Sequence, residues 1–159
     1  MFFKKNTINR KLKKSVAIYI SDSRGQIIIA PQYVNNAGIR YEQETCTVLN
    51  FPIDFLQLGE ETLRNFSMFD LKDKNLRDQK RTDWPAFKYS KMKSVKSFEE
   101  AFKMVAISGN NESNIIISIE TPIVADNDLN IRSWVSTTVS KEEIGKRIIK
   151  VYQKANSIL

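Results

Sequence analysis

The sequence predicts an α+β fold made of two degenerate copies of one strand-rich unit, each ending in a helix, with antiparallel sheets or sheet halves. Three observations carry this. A pair of β-branched runs around a polar turn near the start returns 89 residues later, with Val105 standing where Val16 stood. Two helix entries share a cap, an apolar residue and a glycine, Leu58-Gly59 and Ile144-Gly145, 86 residues apart. A polar, basic stretch separates the two copies.

The first copy opens with Ser15 to Ser21, the turn-like Asp22-Ser23-Arg24-Gly25, and Gln26 to Pro31, which read as a hairpin. Val48 to Asp54 then enters a helical pattern. Asp54 with Gln57 fits a capping box, Ile53 with Leu58 a hydrophobic staple, and the apolar stripe continues through Leu63 and Phe66. Residues 67–96 follow as a connector in which Trp84-Pro85 should interrupt any regular element. Ser97 with Glu100 offers another capping box and a short helix.

The second copy repeats the order. Met104 to Ser108, the polar Gly109 to Asn114 and the Ile-rich Ile115 to Ile119 form the second hairpin, and Asp126-Asn127-Asp128 reads as a turn. Val135 to Ser140 leads into the last helix, capped by Ser140 with Glu143 and stapled by Val139 with Ile144, its stripe running through Ile148, Tyr152 and Ala155. A glycine inside a helix costs about 1 kcal/mol relative to alanine. Its recurrence at one helical position therefore predicts a close approach of each helix backbone to its sheet. Each helix should pack on its own half. The expected core comprises Val16, Ile18, Ile28, Val48, Leu58, Leu63, Val105, Ile107, Ile116, Val135, Ile144, Ile148 and Tyr152.

At 159 residues, with 42% apolar content, the chain suits a single domain, 1–159: repeat 1 over about 15–66, the basic connector over 67–96 and repeat 2 over about 97–159. No run approaches the roughly 18 apolar residues of a membrane helix, and the basic N-terminus lacks a signal-peptide core. The single cysteine, Cys46, has no partner within the chain and sits in an alternating segment, as a buried structural thiol would. A cytoplasmic location follows as the expectation.

The net charge of +7 is unevenly spread. Residues 1–14 hold six bases and no acid, and residues 69–96 hold nine bases and four acids, whereas the periodic segments are mildly acidic. Histidine is absent, which removes the commonest general base, the commonest metal ligand and every Ser-His or Cys-His pair. No cysteine cluster, Gly-rich phosphate loop or calcium-spaced acidic loop is present. Carboxylates such as Glu42, Glu44, Glu120 and Asp126 could pair in space. The expectation is nonetheless a binding protein rather than an enzyme, with no catalytic residue, cofactor or metal.

The run Ser140-Lys141-Glu142-Glu143-Ile144-Gly145 and its apolar helix resemble the end of the contact-dependent growth inhibition (CDI) immunity proteins. Ser97 to Met104 leading into Ile115-Ile116-Ile117 is similar to that family's middle. The likeness spans about 15–66 and 95–155; a short link before the last helix and the basic connector depart from it. It implies a cytoplasmic protein that binds the C-terminal toxin domain of a large secreted effector, often a nuclease, and masks its active site. It also implies a fold like that of the Whirly single-stranded-DNA-binding proteins. A nuclease presents cations around its groove, so its inhibitor should offer acids. The candidate partner-binding residues are Asp22, Glu42, Glu44, Glu112, Asp126 and Asp128, all in or beside predicted turns. The competing reading is nucleic-acid binding, with Lys4 to Lys14 and Lys72 to Lys96 on phosphates and Trp84, Phe87 and Tyr89 stacking on bases. Against it, those aromatics can fold back as a small satellite core.

Overall fold

The computed structural model describes residues 12–111, 113–123, 127–136 and 138–158. The β-branched runs form β1 (Lys14–Ser21), β2 (Gln26–Val34), β6 (Lys103–Asn111), β7 (Asn114–Ile123) and β8 (Asn127–Ser136), with the shorter β3 (Arg40–Glu42), β4 (Thr47–Asn50) and β5 (Asp70–Leu71). The helices are α1 (Phe55–Ser67), α2 (Pro85–Ser90), α3 (Val95–Ala101) and α4 (Lys141–Asn156). The strands make one eight-stranded sheet in the order β3-β2-β1-β6-β7-β8, with β4 also on β2 and β5 parallel to it. The two expected hairpins therefore join along β1 and β6 as halves of a single sheet.

Strand alternation sorts the side chains into two faces. The inner face carries Val16, Ile18, Ile20, Ile27 and Ile29 in the first half and Val105, Ile107, Ile115, Ile117 and Ile119 in the second. Both α1 and α4 cover this face, contributing Leu58, Phe66, Ile144, Ile148, Val151, Tyr152 and Ala155 to the same core. α1 rests on β1 and β2, and α4 on β6, β7 and β8. The N-cap half of each expected capping box forms: the Gln57 amide donates to Asp54 Oδ1 at 3.0 Å, and the Glu143 amide to Ser140 Oγ at 3.2 Å.

The two helix glycines do not approach the sheet. They let the helices approach one another. A Cβ on Gly59 would lie 1.8 Å from the Lys141 carbonyl oxygen, and one on Gly145 would lie 2.0 Å from that of Phe55. Phe55 and Lys141 are the first residues of their helices, so each glycine sits at the fifth position over the first carbonyl of the other helix. This reciprocity relates the two units by an approximate twofold axis through the helix crossing.

Several boundaries differ from expectation for local reasons. Pro85 opens α2 instead of breaking it, because the first helical position needs no N–H. α3 begins at Val95, three residues early, because Ser94 Oγ caps it by accepting from the Ser97 amide at 3.1 Å. Asn127 and Asp128 belong to β8, not to a turn; Asp126 lies outside the described residues. Val48 is 42% exposed and Ile116 half-buried, since alternation turns both to the outer face, and Leu63 is only partly buried.

Candidate functional site

The outer face is where the two halves diverge. Over the first half, Ala17, Tyr19, Ile28, Ala30 and Cys46 are buried beneath Ala86, Phe98 and Phe102, with Trp84, Phe87 and Tyr89 packed against them. The connector is thus a lid on this half, and its aromatics form the satellite core. Trp84 and Phe98 meet edge to face at 4.8 Å between centroids, and Tyr19 lies 5.6 Å from Trp84.

Glu42 pins that lid. Its Oε1 accepts from Tyr19 Oη at 2.6 Å and Trp84 Nε1 at 2.7 Å, and its Oε2 accepts from the Ala86 amide at 2.8 Å. Burial pushes the carboxyl above the usual carboxylate range, and the three donors only partly offset this. Tyr19 is pushed well above the ordinary phenol range, first by burial and then by the Glu42 charge. Cys46, in the same cluster, is pushed up to about 12 by burial and by Glu42, which leaves an unreactive thiol.

Over the second half the outer face is open. Row by row it presents Trp134, Ile116 and Ser108, then Arg132, Ser118 and Ala106, then Asn130, Glu120 and Met104. Trp134 is 64% exposed and Met104 48% exposed. Arg132 Nε donates to Asn130 Oδ1 at 2.8 Å, and Asn130 Nδ2 to Glu120 Oε1 at 3.1 Å, so a polar chain runs beside the tryptophan. Where β6, β7 and β8 approach the start of β1, a cleft of about 400 Å³ opens between Trp134, Ile116, Lys13, Asn110, Asn111 and Asn114.

The six candidate acids do not share one surface. Asp22 is exposed in the β1–β2 turn. Asp128 lies near the start of β8, opposite Pro122 of β7; its side chain, Asp126 and Glu112 lie outside the described side chains. By strand direction, the β1–β2 turn and the ends of β7 and β8 at residues 123 and 127 are at one end of the sheet, and the ends of β6 and β7 at residues 111 and 114 at the other. Glu44 is exposed and paired with Lys72 at 3.0 Å, which holds its carboxyl below the usual range. Glu42 spends its oxygens on the lid. Among the described residues no group of three or more His, Cys, Asp or Glu could hold a metal, and no helix is long and apolar enough to cross a membrane.

Sequence reasoning missed Trp134. The signal was present in the alternation of β8, where Ile131 and Val135 are one set and Asn130, Arg132, Trp134 and Ser136 the other. A tryptophan in the polar set marks an aromatic facing outward.

No protein-family model matches the chain, and no curated protein matches it. Solved structures do. A protein of unknown function, NMB0488, from Neisseria meningitidis superposes with a TM-score of 0.71 at 17% identity, over 93% of this chain and 98% of that one. A chain of the CdiA-CT/CdiI toxin and immunity complex from Yersinia pseudotuberculosis superposes with a TM-score of 0.62 at 14% identity, over 89% of this chain and 96% of that one. At these identities the likeness establishes a shared fold.

Proposed function

We propose that this protein is an immunity protein of a contact-dependent growth inhibition system. In this reading it acts in the cytoplasm, binds the C-terminal toxin domain of a cognate effector and masks that domain's active site without catalysing a reaction. The single observation that carries the reading is the full-length fold likeness to a chain of a toxin and immunity complex. The chain supplies compatible chemistry: it has no histidine, and its buried carboxylate and thiol serve the lid rather than a reaction centre.

The toxin is proposed to be a nuclease, whose cationic groove is met by acids of this chain. Asp22, Glu44, Glu112, Asp126 and Asp128 remain candidates for this contact. Glu42 does not, because unpinning the lid would be the cost of turning it outward. The test is co-expression with the toxin domain encoded beside this gene. The reading expects cells to survive toxin induction only when this chain is present, and a stable complex to co-purify. Toxicity undiminished by the chain, with no complex, would overturn it. Changing Asp22, Asp126 and Asp128 together to lysine should weaken the complex at least tenfold, and unchanged affinity would remove these acids from the interface.

A further inference from the structure

The cleft beside Trp134 combines features that the immunity reading does not use. One wall is a largely exposed indole, and beneath it Ile116 supplies an apolar floor. The opposite rim carries Asn110, Asn111 and Asn114, all exposed. Asn111 spends its carbonyl on the Ser113 and Asn114 amides at 2.9 and 3.1 Å. At the mouth stands Lys13, whose main-chain carbonyl accepts from Arg40 Nη2 at 2.8 Å. Arg132 stands one row away on the same face, and the described lining of the cleft contains no acid.

We propose that this cleft binds single-stranded RNA, with one base stacked on Trp134, the asparagine amides reading base and ribose edges, and Lys13 on the flanking phosphate. Each part matches a need of that ligand. An exposed aromatic on an open sheet face offers stacking to any base. An amide both donates and accepts, as base edges and the ribose 2′-hydroxyl require. A volume of about 400 Å³ suits a single nucleotide. Charge favours a polyanion: residues 1–14, which lead to Lys13, hold six bases and no acid.

A second copy of the chain fits the face less well. Three strands about 4.8 Å apart and about 30 Å long offer roughly 430 Å², well below the roughly 800 Å² per partner of a stable interface. The aromatics of the connector are not available for stacking, since Trp84 and Phe87 are committed to Phe98.

The test uses the full chain, with a twelve-nucleotide single-stranded RNA and the DNA of the same sequence as probes, at low and at physiological salt. The expected results are quenching of Trp134 fluorescence in a Trp84→Phe background, binding that weakens steeply with salt, and weaker binding of the DNA. Trp134→Ala should reduce affinity about ten- to hundredfold, the equivalent of one stacked base. Lys13→Glu should reduce both affinity and salt slope. Thermal unfolding of each variant, unchanged because both positions are exposed, separates loss of binding from loss of fold. The proposal is overturned if the RNA does not bind at low salt, or if it binds equally well to Trp134→Ala, which would assign the affinity to the basic N-terminal segment alone. It is also overturned if only the neighbour-encoded toxin domain, and not RNA, perturbs Trp134, which would make the face a protein interface. None of these outcomes depends on whether the toxin is neutralised.

Discussion

Ala17 and Ala106 are cross-strand neighbours in the same row of one sheet, yet Ala17 is buried in the cluster of Phe98 and Ala86 while Ala106 stays half-buried among exposed Arg132, Trp134 and Met104. On the inner face the two halves are treated alike: each has its own helix, and each helix presents a glycine to the first carbonyl of the other. The outer faces differ because there is one connector and two faces to cover. Each half needs its inner surface for stability, since that is where the shared core lies. Its outer surface is closed where the chain can reach and left for other uses where it cannot.

The comparison can be broken at several points. The largest effect is expected at the symmetric core, where Ile148→Ala should cost about 2–5 kcal/mol in urea denaturation; a loss below about 1 kcal/mol would place that helix face in solvent. Next is the helix crossing. Alanine favours a helix over glycine by about 1 kcal/mol, but the new Cβ at either site meets a main-chain carbonyl that cannot swing aside. Gly59→Ala and Gly145→Ala should each give a net loss of about 1–3 kcal/mol, and a gain in stability at either site would contradict the crossing.

A loss of similar size, about 1–3 kcal/mol, is expected from Glu42→Ala, which strands the Trp84 and Ala86 donors. Proteolysis should then cut the connector first. Because burial raises the Glu42 carboxyl, its contribution is fullest below the ordinary carboxylate value of about 4.3 and is lost as pH rises through its higher folded value. The lid should therefore loosen from mildly acidic toward neutral pH, and Glu42→Gln should abolish that dependence. The smallest effect is chemical: Cys46, pushed up to about 12, should resist alkylation at pH 8 in the folded chain and react on unfolding. Ready alkylation of the native protein would show the lid to be open.

Much of this fold was legible because it rests on short-range chemistry. The hairpins, the caps at Asp54 and Ser140 and the paired glycines each follow from residues within one turn or one strand pair. The partner of each glycine was not legible, because a close approach shows in sequence while the surface approached does not. Val48 and Ile28 illustrate a second limit. Both are β-branched residues on the outer face, paired across β2 and β4, and only the lid's reach makes one buried and the other exposed. Glu42 read as an outward acid because it lies beside a turn; nothing local reveals that Trp84, 42 residues on, returns to it. Of the binding residues, Trp134 was written in the alternation of β8, whereas the cleft beside it depends on how β1, β6, β7 and β8 meet.

The difference between the two outer faces is tested most directly by comparing Phe98→Ala with Trp134→Ala in equilibrium urea unfolding. Phe98 is 1% exposed at the centre of the lid cluster, and its truncation should cost about 3–5 kcal/mol. Trp134, larger but 64% exposed on the open face, should change stability by no more than about 0.5 kcal/mol. Comparable losses at the two positions would mean that both faces are packed, and that the second half has no surface to spare for a ligand or partner.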